Sequence, residues 1–232
     1  MNCQYNFSSR ETLPNEAALA LDTGSPVVSV AVSVGGRLAA ERTIEQRQSS
    51  GRLLQIIDEV LEESGLRLSQ IDLLLGLRGP GSFTGLRVGL ATLQGMRLAL
   101  GTRTATFPTL QVLATLAPAG SHSITACVDA LREQWLIQDF VASPPYEPIQ
   151  SPESLSGKDL LNRKSHIYIG FGISRLRAQL ASPSDAVLIE PGPLAPQALR
   201  ILGVCHADPN PDLLANPLYL GAPAVTPPRV PD

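Results

Sequence analysis

The 232-residue chain is short of aromatics, cysteine, clustered histidine and surplus charge, and each shortage removes a class of function. Aromatic residues make up 4% of it, too few for a platform on which bases stack, so Trp135 and Tyr146 are expected to be ordinary packing. Lys and Arg number 18 against 21 Asp and Glu, a formal net charge of −3, and no basic stripe offers a salt-dependent grip on a phosphate backbone. If nucleic acid is the client, a partner must hold it. Three cysteines, Cys3, Cys127 and Cys205, stand far apart without a C-x-x-C pair. The odd count suits reduced thiols, and Cys127 is expected to be buried and inert. His122, His166 and His206 are isolated, with no H-x-x-x-H or H-E-x-x-H, so a helical metal site has no ligands to use. No run of about 18 apolar residues occurs, and Met1 to Asn6 lacks the basic start and apolar stretch of a signal peptide. The expectation is a cytoplasmic protein that does not enter a membrane.

What is present is a core. Hydrophobic residues are 44% of a chain that is large for one domain and small for two. Residues 1–16 are polar and irregular and read as a mobile extension. Ala17–Asp22, Val27–Val34 and Arg37–Thr43 are alternating, β-branched runs joined by Thr23-Gly24-Ser25-Pro26 and Gly35-Gly36, which predicts a three-stranded meander. Ser49 or Ser50 can cap a helix with Leu53, Ile57, Val60 and Leu61 on one stripe, ending at Gly65. Ile71–Leu75 is a buried strand, and a helix runs from about Thr84 to Leu100. The small residues of that helix form two sets, Gly85/Gly89 and Ala91/Gly95/Ala99, about 200° apart at 3.6 residues per turn. Glycine in mid-helix costs roughly 1 kcal/mol relative to alanine, so close packing on both faces is expected, against the chain's own sheet on one and a second helix or a partner on the other.

The pattern then repeats more loosely. Strands are predicted at Arg103–Phe107, Ser123–Val128, Gln134–Val141, His166–Gly170 and Ala186–Ile189, with helices at Thr109–Leu116, Ile173–Leu180 and Leu194–Leu202. After residue 140 lie 15 of the 20 prolines, which signals loops and short elements, and Pro209–Asp232 is read as extended. The order of elements predicts an α/β protein of two similar lobes.

Two constellations could carry chemistry. Asp22-Thr23-Gly24-Ser25 is either a turn or a phosphate contact; as half of an aspartic protease it lacks a second triplet and an all-β chain. Gly79-Pro80-Gly81-Ser82-Phe83-Thr84-Gly85-Leu86-Arg87 lies between a strand and a helix N-terminus, where backbone donors and the macrodipole favour an anion. It is neither a P-loop, since Ser82-Phe83 stands where Lys-Ser/Thr is required, nor a dinucleotide fingerprint, since Gly79-x-Gly81-x-x-x-Gly85 is one residue too long. Nor is Ser82 in a G-x-S-x-G elbow. The loop is anion-capable or a rigid connector, with Ser82 or Thr84 capping the helix and Arg87 pairing locally.

The run Gly79 to Gly89 resembles the signature of the bacterial TsaB (YeaZ) family, and the resemblance extends over Leu21-Asp22-Thr23, Leu53-Leu54, Cys127-Val128-Asp129-Ala130 and Pro217-Leu218-Tyr219-Leu220. It implies an actin-like ATPase fold of two ribonuclease-H-like lobes, with the first lobe at 17–104, a smaller second lobe at 105–220 whose C-terminal part can return to the first, and a flexible tail at 221–232. It implies a non-catalytic subunit in forming N6-threonylcarbamoyladenosine at position 37 of tRNA. The subunit would pair with the related transferase TsaD, with the ATPase TsaE joining, and would be a homodimer when isolated. On the resemblance no nucleotide or metal is tightly bound here, ATP/ADP and metal being expected on TsaD or TsaE, and tRNA is met only through the complex. The partner surface falls on the two first-lobe helices, nominated as Leu53, Ile57, Leu61, Gly85, Gly89, Leu93 and Met96. Gln48, Leu131 and Gly221 depart from the residues usual in the family. The alternative is a nucleotide-binding ATPase or phosphotransferase of the same fold, with Asp22–Ser25 and Gly79–Ser82 both cradling phosphates.

Overall fold

The computed structural model describes residues 16–45, 49–130, 133–161, 163, 167–179, 187–202 and 208–219. The expectations for the N-terminal extension and the tail, for Cys3, His166, Cys205 and His206, and for the departures at Gln48, Leu131 and Gly221 lie outside these residues.

Two five-stranded sheets share one wiring. In the first, β1 (Ala17–Asp22), β2 (Val27–Val34) and β3 (Arg37–Glu45) form an antiparallel meander; α1 (Ser49–Glu63) crosses to β4 (Leu73–Leu77), parallel to β1, and α2 (Phe83–Leu100) crosses to β5 (Arg103–Phe107), parallel to β4. The strand order is β3-β2-β1-β4-β5. After α3 (Thr109–Ala114) the second sheet repeats the scheme: the meander β6 (Ser123–Asp129), β7 (Gln134–Val141) and β8 (Glu153–Ser156), then α4 (Gly157–Leu161), β9 (Ile167–Phe171), α5 (Ile173–Gln179) and β10 (Val187–Ile189). Its order, β10-β9-β6-β7-β8, is the same one read from the other edge. The fold is α/β of the actin-like, ribonuclease-H-like class, as expected. The strand at Arg103–Phe107, read from sequence as the start of the second unit, is instead the edge of the first sheet, because the α2 crossover lays it parallel to β4.

Side-chain alternation on the strands sorts the core into layers. Leu19, Leu21, Val30, Val32 and Leu74 face α1 and α2, whereas Ala18, Ala20, Ala31, Leu75 and Phe107 face the middle of the molecule. That middle layer holds α3 and α6 (Ala195–Ile201), and the inward residues of the second sheet, Ile124, Ala126, Phe140 and Ile169, close it from the other side. Each sheet thus receives the helix that follows the other: α3 leaves β5 and packs on β6, β7 and β9, and α6 follows β10 in sequence and packs on β1 and β2. Alanines at 18, 20 and 31 leave room for α6, and Ala195 N–H donates to Ser29 Oγ at 3.0 Å. The outer face of the second sheet buries Trp135, Tyr168 and the free thiol Cys127 against α4 and α5. Burial pushes the Cys127 thiol up, which keeps it protonated and unreactive.

β8 and α4 were not legible in the sequence, where prolines at 144, 145, 148 and 152 lead up to them. Asp139 on β7 accepts from Thr125 Oγ1 at 2.6 Å and pairs with Arg163 at 2.5 Å, and Arg163 also reaches Glu153 of β8 at 2.6 Å, so an ion-pair network holds this region where apolar periodicity is weak. The C-terminal stretch, expected to be extended, contains a 3-10 turn at Pro211–Leu214 whose Leu214 is buried under α2.

Gly170 on β9 has no room for a side chain: a Cβ there would lie 1.6 Å from the Cys127 carbonyl oxygen on β6. Gly170→Ala must therefore separate two paired parallel strands. The expected result is a loss of roughly 4 kcal/mol or more, read as a collapse of the urea midpoint with the second sheet's amide protection.

Candidate functional site

The two constellations meet at the carboxyl ends of β1 and β4. Asp22 ends β1, and its Oδ1 accepts from Gly24 N–H at 3.0 Å and Ser25 N–H at 3.3 Å, the Asx turn its sequence allows. Its side chain is fully buried and Oδ2 has no partner. Burial pushes the carboxyl up to about 6, partly offset by the donors of Ser25 and Gly24. Thr23 is buried beside it.

The glycine loop closes onto this turn. Ser82 N–H donates to Gly24 C=O at 2.8 Å, and a Cβ on Gly81 would fall 2.6 Å from that same oxygen, so the two backbones touch. Gly79 has φ of +104°, a conformation suited to glycine, and its carbonyl accepts from Thr109 N–H at 2.8 Å. Pro80 is buried, and Leu86, fully buried, lies against both Gly24 and Gly79. Ser82 Oγ accepts from Gly85 N–H at 3.3 Å, so Ser82 is the helix cap, and Thr84 is exposed in the first turn of α2. Ser82 N–H, and the N–H groups of Gly24 and Ser25, are thus engaged by the chain itself, and Gly81 lies against Gly24.

The second sheet has its own carboxylate at the matching place. Asp129 ends β6 as Asp22 ends β1, but it is paired with Arg175 of α5 and packed against Gly172. This pair was not read from the sequence, because its partners lie 46 residues apart. A second unread contact is the stack at the start of α2. Phe83 and Tyr219 have ring centroids 4.8 Å apart, the Arg87 guanidinium lies 3.9 Å from the Phe83 centroid, and Arg87 Nε donates to Tyr219 Oη at 3.2 Å. Arg87 therefore pairs with the distant C-terminal segment as well as locally.

The residues nominated for a partner are turned inward. Leu53, Ile57, Leu61 and Leu93 are buried in the core under the first sheet, Met96 is packed against it, and Gly85 and Gly89 are buried. The apolar stripe that made these residues conspicuous is the stripe a helix presents to its own sheet. What α2 leaves exposed is its other small-residue face, Ala91, Gly95 and Ala99, flanked by Arg87 and by Leu98 at 73% exposure. On α1 the exposed residues include Leu54, at 63%, and Asp58 and Glu62.

Comparison with known proteins shows what the chain is similar to. The model of TsaD, tRNA N6-adenosine threonylcarbamoyltransferase, matches residues 38–143. The tRNA threonylcarbamoyladenosine biosynthesis protein TsaB of Haemophilus influenzae is 39% identical over 123 residues, 51% of each chain. The Escherichia coli protein of the same name is 34% identical over 114 residues, 48% of this chain and 49% of that one. YeaZ from Pseudomonas aeruginosa superposes with a TM-score of 0.67 at 25% identity, covering 81% of this chain and 91% of that one. These matches support assignment to the TsaB/YeaZ family. The chain aligns with about half the length of the curated relatives it matches, whereas the structural likeness to YeaZ runs through nearly all of that protein. Among the described residues no helix is long and apolar enough to cross a membrane.

Two measurements test the packed turn. A Cβ on Gly89 would lie 2.0 Å from Thr23 Oγ1 and 3.0 Å from Thr23 Cβ. Gly89→Ala is expected to cost roughly 2 kcal/mol or more in urea unfolding, with part regained in a Thr23→Ala background; a neutral Gly89→Ala would show that the contact yields freely. The second measurement is the pH dependence of stability. With Asp22 at about 6 when folded and 3.8 when unfolded, the folded chain holds the extra proton between those values. Stability therefore falls as pH rises from about 4 to 6 and is level above, a change of roughly 3 kcal/mol from this group. Asp22→Asn should lose that slope in denaturation curves at several pH values.

Proposed function

We propose that the chain is a cytoplasmic, non-catalytic subunit in the formation of tRNA N6-threonylcarbamoyladenosine. It pairs with a TsaD transferase through the outward faces of α1 and α2, with TsaE joining the pair, and it meets tRNA only through the complex. In isolation the same face makes a homodimer. The observation that carries this reading is the division of labour on α2: its Gly85/Gly89 face is taken up by the chain's own sheet, while Ala91, Gly95 and Ala99 stay exposed. Small residues at four-residue spacing let a second helix approach closely, and a Cβ on Gly95 would meet nothing within 4 Å. The names of the curated relatives support the pathway, and the TsaD-family match over residues 38–143 supports a partner of related build.

The glycine loop and the Asp22 turn then have a structural role. Their backbone contact, with Leu86 filled in behind, supports a subunit whose phosphate cleft is closed by its own packing and whose nucleotide and metal chemistry is left to TsaD and TsaE.

The test uses a position where folding is indifferent. A Cβ on Gly95 would meet nothing within 4 Å, so Gly95→Leu should fold normally and weaken pairing with TsaD from the same source by about tenfold or more, read by light scattering coupled to size exclusion and by titration calorimetry. Unchanged pairing removes this face from the interface. Stoichiometric Mg-ATP binding and hydrolysis by the purified chain would replace the subunit reading with a nucleotide enzyme.

A further inference from the structure

The stretch from Asp208 to Tyr219 reaches the first turn of α2, beside the proposed partner face, and organises a cation there. From Asp208, which bridges Thr106 at the free edge of β5, the chain runs through the buried Leu214 to Leu218, whose N–H donates to Arg78 C=O at 2.6 Å. This fixes Tyr219 over the first turn of α2, where its ring meets Phe83 and its hydroxyl accepts from Arg87 Nε. Arg87 is exposed, yet its guanidinium is held on one side by the Phe83 ring at 3.9 Å and lies 6.0 Å from the Tyr219 centroid. Nε is engaged, and the two terminal nitrogens are left; among the described residues no carboxylate forms an ion pair with them. α2 itself contains no Asp or Glu.

A planar guanidinium fixed by stacking loses less freedom on binding than a mobile one, and its terminal N–H pair matches a planar oxyanion. The neighbouring helix decides which oxyanion. α1 packs beside α2 and carries Asp58, Glu59, Glu62 and Glu63 against the single base Arg52, which repels a polyphosphate backbone but leaves room for one carboxylate set in a protein surface.

We propose that Arg87, held by Phe83 and Tyr219, is the specificity-determining contact of the α2 face and takes an Asp or Glu side chain of the protein that docks there. This rests on the pairing reading above. Tyr219 and the segment that places it are then positioning residues for that contact.

The experiment measures affinity of the full chain for TsaD by titration calorimetry at low and moderate salt, with thermal midpoints as the folding control. Arg87→Met is expected to weaken binding about tenfold or more with the midpoint little changed and with a weaker salt dependence. Arg87→Lys should keep the charge but recover only part of the affinity, and Tyr219→Ala should fall between Arg87→Met and the parent. Unchanged affinity in Arg87→Met overturns the anchor. If Gly95→Leu weakens binding while Arg87→Met does not, the docking face stands and the anchor falls; if neither does, the pairing reading falls with it. If Arg87→Met binds the partner normally but the complex loses affinity for tRNA, the oxyanion is a phosphate and the carboxylate proposal is overturned.

Discussion

The arrangement of the first lobe depends on one backbone contact, where the β1–β2 turn meets the loop that starts α2. Ser82 N–H on Gly24 C=O, with Gly81 pressed against the same carbonyl, leaves no space for a side chain on that stretch of the loop. The direction of α2 follows, because its cap Ser82 belongs to the loop that is pinned and its buried Leu86 lies against Gly24 and Gly79. Gly89, one turn further on, then comes down on Thr23. At each of four glycines, 24, 79, 81 and 89, a Cβ would meet another part of the chain within 3 Å. The carbonyl-to-amide bond between the two turns brings their backbones into direct contact.

The second constraint is the exchange of helices between the sheets. Neither sheet has its inner face covered by its own crossovers: α1 and α2 lie outside the first, α4 and α5 outside the second. The middle layer is built from α3 and α6, each following one sheet in the chain and packing on the other. Burial of both inner faces is therefore cooperative between lobes, and neither lobe has a complete core alone. The C-terminal strap adds a further tie by bridging Thr106 at the β5 edge, a place where an unpaired strand would otherwise present its backbone.

Much of the fold was legible in the sequence, and for a physical reason: buried strands alternate, amphipathic helices repeat at 3.6 residues, and both signals were strong as far as Val141. The meander, α1, α2 and the first lobe's order followed from them. The second lobe was read less well because β8 and α4 are held by Arg163, Asp139 and Glu153, and an ion-pair network leaves no period in the sequence. The candidate site shows the opposite failure. Ser82 as the cap and the contact between the two glycine-bearing turns concern local chemistry or backbone space, which glycine and serine announce. The residues nominated for a partner are buried because hydrophobicity marks a helix's core face, so Leu53, Ile57, Leu61 and Leu93 drew attention for the very reason that removes them from the surface. The sequence shows two small-residue sets on α2 but carries no sign to say which one faces the sheet. Thr23 supplies that sign only in three dimensions.

The exposed faces of α1 and α2 differ in a way that bears on how such a surface discriminates. α1 bears four carboxylates and one guanidinium, α2 two guanidinia and no carboxylate, and the helices lie side by side. A surface split in this way does not gain from a uniformly charged partner, since each favourable contact with one helix brings an unfavourable one with the other. Apolar contact through Ala91, Gly95, Leu98 and Leu54 supplies area without direction. Orientation must come from the charges, and only a partner with the opposite arrangement, basic over α1 and acidic over α2, satisfies both helices at once. A second copy of this chain offers that arrangement when α1 of one protomer lies over α2 of the other, and so does a related chain with the same polarity. On the proposed pairing, charge polarity across two helices is compatible with both a second copy and a related chain on one face, and the proposed Arg87 contact is what would separate them.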